Sequence, residues 1–73
     1  MSERQNVTFH HITASGSSML GASSLDMSDI QDVEGTIGKS LAAFGLEHAK
    51  GLVQVRDAKG KPLYNFTIRK PKG

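Results

Sequence analysis

The chain has 73 residues, no cysteine and a formal net charge of +2. That length allows one small domain, residues 1–73, with a modest hydrophobic core. The absence of thiols excludes disulfide staples and thiolate zinc sites and fits a reducing compartment. The net charge hides an asymmetry. Residues 1–49 hold two cations against six acids, a net of −4, and residues 50–73 hold seven cations against one acid, a net of +6. A cationic C-terminal end is therefore the main functional clue.

In chain order, residues 1–6 are polar, with no apolar signal-peptide region behind them, and no apolar run approaches membrane-spanning length. The expectation is a cytoplasmic protein with no membrane partner and with frayed ends at about 1–6 and 71–73. Residues 7–12 alternate as a strand, with Val7, Phe9 and His11 on one face and Thr8, His10 and Ile12 on the other. Ile12 then falls on the polar side, which predicts a bulge or the strand's end near His11. Residues 13–24 are rich in Ser, Gly and Ala. They read either as a loop or as a turn at Ser15-Gly16-Ser17 followed by a strand over about 18–27. The strand is preferred, because long structureless loops are uncommon in so small a domain. It would place Met19 and Leu25 on one face.

Residues 28–45 carry the only long helical period. Ile30, Val33, Ile37, Leu41 and Phe44 line one stripe. Ser28 and Gln31 form a capping-box pattern, and Asp29, Asp32 and Glu34 suit the positive end of the helix dipole. Gly45 is placed to end the helix in the left-handed conformation, with Leu46 folding back as the apolar contact that often accompanies it. Gly35 and Gly38 lie inside the helix and each costs about 1 kcal/mol relative to alanine. Their positions on the helical wheel favour tolerated solvent-side glycines over the close approach of a partner backbone.

Residues 52–57 and 62–70 read as a hairpin around a type I turn at Asp57-Ala58-Lys59-Gly60, with Gly60 free to take positive φ. Pairing Arg56 with Lys61 puts Val53, Val55, Tyr64, Phe66 and Ile68 on the helix side. Gln54, Arg56, Lys61, Asn65, Thr67 and Arg69, with Leu63 among them, then form the open face. A turn one residue tighter or looser would leave the two strands disagreeing about which side is core. The whole reads as α+β: a small antiparallel sheet of three or four strands, ββαββ or βαββ, with one amphipathic helix packed on one face.

Motifs for chemistry are weak. Residues 16–23 match G-x-x-x-x-G and the final serine of a phosphate loop, but Ala22 stands where the lysine must be. His10 and His11 are adjacent on a strand and point to opposite faces, so they do not share a metal ion. No serine lies in a nucleophile elbow. The reading is no catalytic residue, no metal and no cofactor. The preferred function is a small non-enzymatic interaction module, an inhibitor or adaptor. It would dock on a larger protein that offers an acidic patch or an open sheet edge, through the cationic hairpin or its own exposed strand edge. Arg56, Lys59, Lys61, Arg69, Lys70 and Lys72 are the expected contact residues. The alternative is nucleic-acid binding through phosphates on the same residues, and a homodimer is a further option. A shifted hairpin register would move Tyr64 and Phe66 to the open face as a base-stacking platform.

Overall fold

The computed structural model describes residues 4–68. Five elements follow in order: β1 Gln5–Thr13, β2 Gly16–Leu25, α1 Ile30–Phe44, β3 Leu52–Asp57 and β4 Pro62–Thr67. The strands form one antiparallel sheet in the order β2-β1-β3-β4. One helix packs on one face, so the fold is the expected α+β arrangement in its ββαββ form. The core lies between the two layers. Val33, Ile37 and Leu41 of α1 meet Val7 and Phe9 of β1, Leu20 and Leu25 of β2, and Val53 and Val55 of β3, with Ile68 beyond β4. Among these Val33, Ile37, Val53 and Val55 have no exposed surface at all.

The first hairpin is tighter than the sequence implies. Thr13 pairs with Gly16, so Ala14 and Ser15 alone make the turn. Gly16 takes φ 141°, which a side chain would resist. β1 begins at Gln5, opposite Leu25, so residues 5 and 6 belong to the sheet instead of a frayed end. β1 itself runs unbroken to Thr13, and Ile12 lies on the open face opposite Leu52. The bulge expected near His11 is in the partner strand. Phe9 pairs with Gly21 and His10 with Met19, so Leu20 is the extra residue. This shift turns Leu20 into the core and Met19 out of it; Leu20 is 8% exposed and Met19 58%. Met19 and Leu25 therefore do not share a face, because alternation counted along the sequence fails across a bulge.

The second hairpin has the same device. Gly60 N–H donates to the Asp57 carbonyl at 2.9 Å, and Gly60 takes φ 85°, the left-handed conformation that carries the chain from the turn into the next strand. The Asp57 carboxylate accepts from the N–H groups of Lys59 and Lys61, at 2.9 and 2.8 Å. Asp57 N–H closes the loop onto the Lys61 carbonyl. Lys61 thus stands opposite Asp57, and Arg56 faces Pro62, not Lys61. Continued regularly, that register would set Leu63 against Val55 and turn Tyr64 and Phe66 away from the helix. Leu63 instead bulges, and Tyr64 pairs with Val55 and Phe66 with Val53. The face expected for Tyr64, Phe66 and Ile68 is thereby reached by a different pairing. Leu63 packs against the core instead of joining the open face. Both outer strands of the sheet carry one bulged leucine, and in each case the leucine adds apolar surface to the helix side.

The helix starts one residue later than the capping box suggests. Asp29 is the N-cap, and its carboxylate accepts from Asp32 N–H at 3.2 Å. Ser28 turns back instead, donating its N–H and hydroxyl to the Asp26 carboxylate. The C-terminus ends as expected. Gly45 takes φ 69° and donates to the Ala42 carbonyl, while Leu46 N–H reaches Leu41 O at 2.8 Å. Leu46 packs against the core. Of the five stripe residues only Val33, Ile37 and Leu41 are buried; Ile30 and Phe44 are 45% and 56% exposed. All five lie on one side of the helix, but the end turns run past the sheet's apolar surface. Periodicity sets the direction a side chain faces, not whether anything lies opposite it.

Candidate interaction interface

The face of the sheet away from α1 is uncovered. The register places Asn6, Thr8, His10 and Ile12 of β1 there, with Ser17, Met19, Ala22 and Ser24 of β2, Leu52, Gln54 and Arg56 of β3, and Asn65 and Thr67 of β4. Among the described residues this face holds no carboxylate and no Phe, Tyr or Trp ring, the His10 imidazole being its one ring. Arg56 is half-buried and held in place: its Nε donates to Gln54 Oε1 at 2.6 Å, and Gln54 Nε2 donates to Asn65 Oδ1 at 3.2 Å. A guanidinium fixed in this way loses little side-chain freedom when it meets a partner. Across β1, His10 Nε2 and Thr8 Oγ1 are hydrogen-bonded at 2.8 Å. Burial, and then the nearby Arg56 charge, push the His10 pKa below its ordinary value. The imidazole is therefore neutral at neutral pH, and Arg56 carries the charge of this part of the face.

The helix layer has the opposite character. Asp29, Asp32 and Glu34 lie in or beside the first turns of α1 and Glu47 follows its end. Charge is thus divided between the two layers as well as along the chain. Of the expected contact residues, Arg56 belongs to the open face, and Lys59 and Lys61 are exposed at the β3–β4 turn. Lys61 is not a cross-strand neighbour of Arg56, because the turn pairs it with Asp57. Arg69, Lys70 and Lys72 lie outside the described residues. Gln54 and Asn65 were legible as open-face residues from alternation, but their role in orienting Arg56 required the strand pairing.

A comparison with known protein families, curated proteins and solved structures gives no match. The site must be read from its own chemistry.

The segment resembling a phosphate loop, residues 16–23, is the extended strand β2. Its backbone pairs with β1 instead of wrapping an anion. His10 and His11 take opposite faces, as their adjacency requires. His11 Nε2 donates to the Lys50 carbonyl at 2.9 Å. A depression of about 360 Å³ beside it is lined by Thr13, Ser15, Ser17 and Ser18. The His11 imidazole is directed to the Lys50 backbone instead of to a serine hydroxyl, so the depression is not arranged as a nucleophile and base. Among the described residues no group of three His, Asp or Glu side chains is placed to hold a metal ion, and no helix is long and apolar enough to cross a membrane.

On the other side of the sheet, α1 lies nearest β2. The outer strand β4 is left partly uncovered. A groove of about 540 Å³ runs between it and the helix. Leu41, Tyr64, Phe66 and Ile68 line it, Gly38 opens its helix wall, and Glu34 and Glu47 stand at its rim. Tyr64 spans the two layers, its hydroxyl donating to Glu34 Oε2 at 2.6 Å. That hydrogen bond, with some desolvation and the Glu34 charge, pushes the Tyr64 pKa above its ordinary value.

Proposed function

We propose that this protein is a non-enzymatic interaction module that docks its open sheet face and cationic β3–β4 turn on an acidic surface of a larger protein. The observation that carries the reading is Arg56, held by the Gln54–Asn65 row on an uncovered face with no carboxylate among the described residues. Fixed arginines with apolar neighbours are the usual anchors of protein interfaces, and Met19, Ile12 and Leu52 supply the apolar part of this face. Lys59 and Lys61 extend the positive potential to the turn and steer association.

Nucleic acid is the second reading. The hairpin register weakens it, because Tyr64 and Phe66 lie on the helix side and leave only the half-buried His10 imidazole, hydrogen-bonded to Thr8, as a ring on the described open face. Binding would then rest on phosphates alone and fall steeply with salt.

The test titrates isotope-labelled protein with a mixed DNA and RNA oligonucleotide pool at low and moderate salt, and in parallel captures partners with the wild-type chain and with Arg56→Glu. Protein docking predicts no oligonucleotide shifts at moderate salt, and a captured protein that is lost on charge reversal. Shifts around Arg56, Lys59 and Lys61 at low salt that vanish with added salt would assign the face to nucleic acid. Capture that survives Arg56→Glu would refute the docking surface.

A further inference from the structure

We propose that the groove between α1 and β4 is a second docking site, which receives an extended apolar segment of a partner protein flanked by lysine or arginine. The inference is independent of the open-face reading, since the two surfaces lie on opposite sides of the sheet.

Three observations lead to this occupant. First, β4 is the last strand of the sheet and pairs only with β3 among the described residues. Its outer edge offers backbone N–H and C=O groups to an added strand. Such a strand would lie beside the groove and send alternate side chains into it. Secondly, the volume of about 540 Å³ falls within the range of pockets that bury a ligand, roughly 300–1,000 Å³. Its wall of Leu41, Tyr64, Phe66 and Ile68 suits aliphatic side chains. Gly38 keeps the helix side open, since a Cβ built there meets nothing within 4 Å. Thirdly, the charged residues lining the groove are both acids, Glu34 and Glu47. An acidic rim around an apolar trough selects a segment whose apolar residues are flanked by cations.

The experiment titrates labelled full-length protein with the end-blocked peptide Lys-Ile-Thr-Val-Thr-Ile-Lys, and separately with the same peptide carrying glutamate in place of both lysines. The expected result is saturable shifts at Gly38, Leu41 and the amides of residues 64–68 with the lysine peptide only. Gly38→Leu should fill the groove without loss of fold, as its position is helical and faces open space. It should weaken binding by roughly tenfold or more. Glu47→Lys should weaken it several-fold, and Arg56→Glu on the opposite face should leave it unchanged. Absence of shifts, equal binding of both peptides, or unaltered affinity in folded Gly38→Leu would overturn the proposal. A concentration-dependent dimer that Gly38→Leu abolishes would overturn it in favour of a second copy. Partner capture that survives Arg56→Glu, with peptide binding intact, would refute only the open-face reading.

Discussion

Gly35 and Gly38 should both be replaceable by alanine with a gain in stability. They occupy interior positions of α1, neither has positive φ, and an added Cβ at either would meet no atom within 4 Å. Nothing in the folded chain therefore offsets the helix-propensity difference of about 1 kcal/mol per site. Part of that gain comes from reduced freedom of the unfolded chain. The two sites share no side-chain partner, so the double variant should gain about 2 kcal/mol. For a domain of this size each kcal/mol raises Tm by about 4–8 °C. Gly51 is the control of opposite sign. It takes φ 104°, and a Cβ there would run into the Ile12 carbonyl oxygen and lie 3.0 Å from Thr13 Cγ2. Left-handed strain alone costs roughly 1–2 kcal/mol, and the backbone collision adds to it. Urea denaturation followed by circular dichroism, with m-values compared, separates true stability changes from changes in the unfolded state. Loss of stability in Gly35→Ala or Gly38→Ala would refute the account of how α1 sits over the sheet, and a neutral Gly51→Ala would refute the close approach of Gly51 to β1.

Three further outcomes follow from the geometry. Leu20→Ala should cost about 2–5 kcal/mol as a core truncation, whereas Met19→Ala should stay within about 0.5 kcal/mol; the reverse order in a denaturation series would remove the β2 bulge. His10 should titrate below the ordinary histidine value of about 6.5. Its folded state disfavours the proton, so its contribution to stability is present above the unfolded pKa and is lost as pH falls through the lower folded one. Arg56→Met should return the His10 pKa only part of the way, because burial is the larger cause, and full recovery by NMR titration would contradict that ranking. Tyr64, the only tyrosine, should ionise above about 10. Its link to Glu34 holds below the unfolded pKa and is lost as pH rises through the raised one. Tyrosinate absorbance of Glu34→Gln should shift back toward the ordinary value, and an unchanged titration would deny the hydrogen bond.

The open face and the groove were legible in the sequence to different degrees. Alternation in residues 52–57 and 62–67 marked Gln54, Arg56 and Asn65 as partners on one face, and they are. The charge division was visible as two halves of the chain. Folding converts it into two layers, because Asp29, Asp32, Glu34 and Glu47 lie in the helix that covers the core or at its two ends. The groove was not legible. It depends on α1 lying toward β2 and leaving Tyr64 and Phe66 half-covered, and no local pattern encodes where a helix lies across a sheet.

By itself the sequence determined the elements and their chemistry. The buried stripe Val33–Ile37–Leu41, the Gly45–Leu46 helix end, the Asp57–Gly60 turn and the exposure of Gly35 and Gly38 all follow from contacts or conformations within a few residues. Only the tertiary structure decided the bulges at Leu20 and Leu63, and with them the faces of Met19, Tyr64 and Phe66. A strand's own alternation specifies which residues can share a face. Which face is buried, and where an extra residue is inserted to reach it, is settled by the competition between turn geometry and the apolar surface that the neighbouring layer must cover.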